Sequence, residues 1–230
     1  MSAPAAAERE VRQAARGLAR AGLVGPYGHC SVRLDSKRLL VCAAKPMGTI
    51  CATDAGQVVP IEGPLPEGVL GEVRVHQQIY RMRPDVGAVC RVLPPHVMSM
   101  SVLGRSPQVR HGFGAFFYPA PAFFDDPTLM RSEEVATTVA EKMGASAGII
   151  LRANGAVVAG ADMKQAVTLA WFLEDMCRIE LAVLAAGEAQ RAPLLTVEQA
   201  QSRSAWAGRV AERMWDFLTF GDPETETFRE

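Results

Sequence analysis

The sequence predicts a single α/β domain spanning residues 1–230, with helices around a small, mostly antiparallel sheet. Amphipathic helical stretches alternate with short apolar runs of strand length. Turn residues separate neighbouring runs closely enough for hairpins. No linker, low-complexity tract or long internal repeat divides the chain. Its 230 residues, 49% hydrophobic and 21% charged, are enough for one well-buried core and exclude disordered or fibrous classes.

Good helix formers, with Val11, Ala14, Leu18 and Ala21 at helical spacing, predict a first helix over 5–21, stopped by Gly22. The turn-rich stretch Gly25-Pro26-Tyr27-Gly28-His29-Cys30 then feeds two short strands, 31–34 and 39–43, around Asp35-Ser36-Lys37. Residues 57–61 read as a further strand. A helix over 70–83 ends at Arg83-Pro84-Asp85, and the apolar run 87–93 is short enough for a buried strand. A short helix follows Pro94-Pro95. Residues 115–118 read as a strand and 119–127 as a turn rich in Pro and Phe. Ser132 is placed to cap a helix to Met143, with Glu133 and Glu134 at its positive end and Gly144 as its stop. Two apolar runs, 147–151 and 156–159, pair across Arg152-Ala153-Asn154-Gly155, whose Asn and Gly tolerate positive φ. A long helix over 162–186 and a last one over 196–220, packed on the domain or on a neighbouring subunit, complete the reading.

Twenty-four Lys and Arg against 25 Asp and Glu leave a formal charge of −1, so no global field draws the chain to nucleic acid or anionic lipid. The apolar runs stop far short of a bilayer span of about 20 residues. The first residues show no leader pattern, which gives a cytoplasmic expectation. Five cysteines, without a Cys-x-x-Cys pair, disfavour a disulfide framework and a thiolate zinc site.

Glu72 and His76 lie four apart on the predicted helix, a spacing that can aim an acid and a base at one pocket or simply expose both. More specific is an ordered string: Gly28-His29-Cys30-Ser31-Val32-Arg33; Gly71-Glu72 with His76 and Ile79-Tyr80; Arg83-Pro84-Asp85-Val86-Gly87-Ala88-Val89; Pro94-Pro95-His96; and Leu151-Arg152-Ala153-Asn154-Gly155 with Gly160. In this order and spacing the chain resembles the class II aldolase/adducin family, from the first helix to about Gly187. The resemblance implies a three-layer α/β/α domain, a homotetramer with active sites at subunit contacts, and carbon–carbon lyase chemistry beside a carbonyl.

In metal-dependent members a divalent ion, usually zinc, sits on a His-x-His-Pro strand end and a later His before Gly, and polarises the carbonyl. Here the corresponding residues are Arg91, Leu93 and Asn154. Guanidinium stays protonated and leucine has no donor atom, so no metal cofactor is expected at that place. A site relocated to His29, His76, His96 and His111 with Glu72 would not reproduce a standard ligand spacing.

The resemblance also places the family's acid/base glutamate at Glu72. His29 stands where members carry an Asn that binds the substrate's phosphate or carboxylate, in the loop that includes Ser31, and it can donate a hydrogen bond or shuttle a proton. Arg91 can bind a carboxylate or stabilise an enolate in a dry pocket, or merely pair with Glu72 and fill the vacated space. His96 and Lys45 are further candidates, each with an ordinary structural reading beside it, and Asn154 completes the substrate-binding set. The aromatic run from Phe113 to Phe124 can wall an aromatic substrate pocket or pack in the core.

The expectation is a metal-independent lyase, working by decarboxylation or by retro-aldol or enolate chemistry. Its substrate would be a small acidic or carbonyl compound, with Glu72, Arg91 and His29 catalytic. An enolate isomerase or cyclase would need the same parts. A non-catalytic binding protein and an enzyme with a relocated metal site are the alternatives.

Overall fold

In the computed structural model, which describes residues 3–225, seven strands form one sheet flanked by seven α-helices. In chain order these are α1 (Ala5–Arg20), β1 (His29–Arg33), β2 (Arg38–Val41), β3 (Gln57–Pro60), α2 (Arg74–Met82), β4 (Ala88–Val92), α3 (Pro95–Val102), β5 (Ala122–Phe124), α4 (Glu133–Met143), β6 (Gly148–Leu151), β7 (Ala156–Gly160), α5 (Met163–Ala185), α6 (Val197–Arg203) and α7 (Val210–Thr219). The sheet order is β3-β2-β1-β4-β7-β6-β5. Helices α1 and α5 cover one face, where Cys30 donates to the Val11 carbonyl. Helices α2 and α4 cover the other face, where Tyr80 donates to the Ser31 carbonyl.

The expected mostly antiparallel sheet is a mixed one. Its inner pairings are antiparallel, but β5 joins the β6 edge in parallel, with Phe123 opposite Ile150. This strand lies within residues whose composition predicts a turn. Prolines 119, 121 and 127 flank it, and an edge tolerates their missing N–H donors. The strand expected over 115–118 is instead a 3-10 turn, Gly114–Phe117. Phe113 stacks on Phe172 with ring centroids 4.5 Å apart, and Phe116 meets Trp206 at 4.6 Å. These aromatic residues pack the turn onto α5 and onto Trp206, just beyond α6, rather than onto a neighbouring strand.

The helix expected over 196–220 is two. Thr196 closes a capping box at the start of α6, but Gly208 (φ 67°) and Arg209 (φ 58°) take left-handed backbone that no continuing right-handed helix allows. Helix α7 packs on α1 and α5 of its own chain. The segment after it folds back on α1. Arg16 donates to both carboxylate oxygens of Asp222 at 2.7 Å, and Arg12 and Arg16 both hold Glu224. Arg16 also donates to the Ile50 carbonyl at 3.1 Å, so one buried side chain ties three segments together. Among the described residues no helix is long and apolar enough to cross a membrane.

Candidate active site

The period of two along a strand decides what enters the site. His29 and Ser31 share one face of β1, and the β1–β4 register sets His29 opposite Arg91 and Ser31 opposite Val89. That face looks toward α2. A cavity of about 880 Å³ opens there, lined by His29, Lys45, Glu72, Arg91, Leu93 and Asn154 together with Tyr27, Leu70, Leu129 and Arg131.

Among the described residues Arg91 is the largest fully buried side chain, 1% exposed. Its Nη1 donates to the Val92 carbonyl at 2.8 Å and its Nη2 to Asn154 Oδ1 at 2.7 Å. Its Nε lies 3.6 Å from Glu72 Oε2 and makes no hydrogen bond. Burial draws its pKa down to about 10, with the Glu72 charge opposing. The guanidinium therefore keeps its charge at neutral pH. The tight turn between β6 and β7 presents Asn154, with Gly155 at φ 70°. A Cβ at Gly155 would stand 2.3 Å from the Val92 carbonyl oxygen and 3.0 Å from Arg91 Nη1, so only glycine lets this turn close over the arginine.

Glu72 does not sit on one continuous helix with His76. It belongs to a 3-10 turn, Gly71–Val73, while His76 is in α2, and the two side chains part company. Glu72 faces the cavity. His76 is fully buried, its Nε2 2.8 Å from His29 Nδ1 and its Nδ1 2.6 Å from Ser31 Oγ. Ser31 meets the Tyr80 hydroxyl at 3.0 Å, so it lies behind the site rather than in its lining.

Burial first, then the charge of Arg91, pulls the His76 pKa down to about 3. Burial, with His76 and Arg91, likewise holds His29 well below the imidazole range. Both rings are neutral in the folded chain. Unfolding frees them to bind protons below about pH 6.5, so the unfolded chain gains protons there and stability falls as pH drops from about 6.5. For His76 the fall continues to about pH 3. Its expected share is about 1.4 kcal/mol per pH unit. Denaturant titrations at about pH 5.5 and about pH 4.5 should show that His76→Gln weakens this pH dependence by roughly that amount. An unchanged slope would mean that the ring is charged in the native state.

The remaining candidates divide. Lys45 lines the cavity, its Nζ 2.8 Å from Asp54 Oδ2. His96 lies outside the lining: its Nδ1 is 2.6 Å from Glu174 Oε1, and Glu174 also accepts from the backbone N–H groups of His96 and Val97 at the start of α3. His111 faces Asp175 at 3.9 Å against the Phe113 ring. The four histidines therefore do not converge, and among the described residues no three His, Cys, Asp or Glu gather as a metal site. Phe113, Phe116 and Phe117 are absent from the cavity lining.

Sequence reasoning misses Arg131, which comes from the segment before α4 and lays its Cβ and Cγ over Gly71 beside Glu72. A Cβ at Gly71 would meet Arg131 Cγ at 3.3 Å. The bare glycine just before Glu72 is the only signal of that approach.

This fold and site define a class. Residues 9–181 match the model of the class II aldolase and adducin N-terminal domain, and the chain belongs to that family. It is a lyase of the aldolase/decarboxylase kind. The chain is 29% identical over 204 residues to 3,4-dihydroxyphthalate decarboxylase of Arthrobacter keyseri, covering 80% of this chain and 82% of that protein. It is 29% identical over 209 residues to the enzyme of the same name from Terrabacter sp. (strain DBF63), covering 83% and 87%. L-fuculose 1-phosphate aldolase from Glaciozyma antarctica PI12 shares the fold with a TM-score of 0.78 at 21% identity, over 93% of this chain and 88% of that one.

At the positions the resemblance gives the family's divalent ion, its ligands would have to come from Arg91, Leu93 and Asn154. The side chains there are a charged guanidinium, an alkyl chain that lines the cavity, and a carboxamide whose oxygen already accepts from Arg91. This donor set does not fit a divalent cation.

Proposed function

We propose that this protein is a metal-independent decarboxylase of small aromatic carboxylates, with Arg91 holding the carboxylate and Glu72 transferring the proton. The observation that carries the reading is the buried Arg91 guanidinium, whose Nε faces Glu72 at 3.6 Å inside the cavity. The names of the Arthrobacter and Terrabacter relatives support the reaction type and the aromatic substrate. The exposed apolar side chains Tyr27, Leu70 and Leu129 along the lining suit a flat apolar body.

Charge bookkeeping explains why a cation and a carboxylic acid belong together here. A substrate carboxylate entering beside Glu72 meets the same guanidinium, and the step begins with the proton on Glu72. Glu72 then delivers that proton to the ring carbon bearing the carboxylate. The carbon–carbon bond breaks, its electron pair returns to the ring, and neutral carbon dioxide leaves. The negative charge has moved from the substrate to Glu72 without leaving the vicinity of Arg91, so the guanidinium is paired before and after the step. His29, Lys45 and Asn154 complete the binding set, with Ser31 acting through His76. By its family the assembly is a homotetramer.

The test is release of carbon dioxide from 3,4-dihydroxyphthalate and from hydroxybenzoates, before and after exhaustive dialysis against a chelator. Equal turnover in both preparations is expected. Loss on chelation with recovery on adding zinc would overturn the metal-independent reading, and absence of carbon dioxide from the whole panel would overturn the reaction.

A further inference from the structure

The charges around the cavity do not balance. Lys45, Arg91 and Arg131 line it against the one carboxylate of Glu72, in a chain whose formal charge is −1. Two of these cations have partners. Lys45 Nζ meets Asp54 Oδ2 at 2.8 Å, and Arg91 has the Val92 carbonyl, Asn154 Oδ1 and the Glu72 charge. The Arg131 side chain has no hydrogen bond and no ion pair among the described residues, although Glu133 and Glu134 follow it closely in the chain.

Arg131 is nevertheless held in place. Its backbone N–H donates to the Leu129 carbonyl at 2.8 Å, and the next residue, Ser132, caps α4 by accepting from the Val135 N–H at 3.2 Å. Its Cβ and Cγ lie over Gly71, where a Cβ would meet them at 3.5 and 3.3 Å. The stem is thus packed against the residue that precedes Glu72, while the guanidinium carries a permanent charge and a fork of donors that no protein group among the described residues receives. A packed stem with an unmet cationic head suits an anion brought from outside.

The proposed step leaves that charge unmet unless the substrate brings a second anion. With the proton on Glu72 and one substrate carboxylate on Arg91, Lys45 keeps Asp54 and the charge of Arg131 remains over. A monocarboxylate cannot neutralise it; a dicarboxylate can. The two guanidinium groups also suit different fates for the acid group they hold. Arg91 is 1% exposed, and a carboxylate there loses its charge as carbon dioxide leaves, which a dry site favours. Arg131 is exposed, so a carboxylate there keeps its charge and part of its water throughout.

We infer that Arg131 is a specificity-determining residue that holds the retained acid group of an aromatic dicarboxylate, and so decides which of two carboxylates meets Arg91 and Glu72 and is lost. This rests on the aromatic-carboxylate reading above and adds to it a residue and a choice between acid groups. The chemistry of the step is unchanged: Glu72 protonates the carbon that loses carbon dioxide, and the acid group on Arg131 takes no part in bond making or breaking.

Calorimetric titration of the wild type and of Arg131→Gln with benzoate and with the benzene-1,2-, 1,3- and 1,4-dicarboxylates tests the binding. The wild type is expected to bind at least one dicarboxylate about tenfold more tightly than benzoate, the effect of one charge-assisted pair at a partly solvated site. Arg131→Gln should abolish that preference and leave the affinity for benzoate as it is. Product analysis with 3,4-dihydroxyphthalate tests the choice. Each of its acid-bearing carbons has a hydroxyl ortho or para to it, so the ring itself permits loss of either group, giving 3,4-dihydroxybenzoate or 2,3-dihydroxybenzoate. The wild type should form one of these alone, and Arg131→Gln both. Arg131→Lys keeps the charge and should retain part of the dicarboxylate preference; a loss equal to that in Arg131→Gln would assign the effect to packing on Gly71 and overturn the inference. It is equally overturned if the wild type binds benzoate and every dicarboxylate alike, or if Arg131→Gln keeps either the preference or the single product, and in those cases the carboxylate site at Arg91 still stands. Failure of benzoate and all the dicarboxylates to bind the wild type would overturn that reading as well.

Discussion

Replacing Glu72 with glutamine is expected to lower turnover by about 10²- to 10⁴-fold while leaving the protein folded. The substitution keeps size and shape and removes only the exchangeable proton and the charge. Little of the fold depends on either: Glu72 lies at a cavity wall with a side chain 21% exposed, and its ion pair with Arg91 spans 3.6 Å. Substrate affinity should change less than turnover, because on the proposed reading the carboxylate is held by Arg91, which in this variant no longer shares its charge with a neighbouring anion. Steady-state kinetics together with denaturant unfolding separate the outcomes. A drop in turnover with an unchanged unfolding midpoint assigns the proton transfer to Glu72. Turnover within a few-fold of the wild type would move the acid elsewhere, and a protein that binds but never turns over substrate in either form would point to the non-catalytic alternative.

Gly155→Ala is expected to be the most damaging single methyl group in the site, costing about 3 kcal/mol or more of stability and disabling the cavity at once. At φ 70° a side chain is already strained, and the new Cβ would fall 2.3 Å from the Val92 carbonyl oxygen, far inside contact distance. That carbonyl belongs to β4, which is paired on both sides and cannot retreat. It is also the acceptor for Arg91 Nη1, so relief by any movement disturbs the guanidinium. Gly22→Ala supplies the comparison: its φ is also 70°, but nothing lies within 4 Å of the added carbon. There only the backbone strain remains, about 1 kcal/mol. Chemical unfolding of the two variants gives the difference, and equal costs would show that the Val92 clash is relieved without consequence.

Elements governed by local signals are legible in the sequence. Ser132 accepts from the Val135 N–H at the start of α4 as its capping role predicts, and the β6–β7 hairpin turns within residues 152–155 as expected, although the positive φ falls at Ala153 (53°) and Gly155 (70°) and not at Asn154. What escapes sequence reasoning is decided by distant partners. The aromatic residues around Phe116 have strand-like composition but are claimed by Phe172 and Trp206. The apolar pattern of 196–220 runs through a backbone reversal at Gly208 and Arg209 that periodicity does not register. In the site, the convergence of Arg91, Asn154, Glu72 and His29 follows from motif order, because those motifs lie at strand ends and turns that the sheet brings together. The spacing of His76 from Glu72 suggests a shared pocket, yet Glu72 sits in a 3-10 turn while His76, in α2, meets Ser31 instead. Arg131 carries no local signal at all, since what places it is the absence of a side chain on Gly71, far away in sequence.

The fastening made by Arg16 has a meaning for anyone who shortens or tags this polypeptide. The same guanidinium that grips Asp222 and Glu224 also steadies Ile50, a few residues beyond the Lys45 stretch that borders the cavity. Loss of both Asp222 and Glu224 would therefore leave a buried cation whose remaining hydrogen bond is to a loop near the cavity, so a change made at residues 222–224 is felt where small molecules enter.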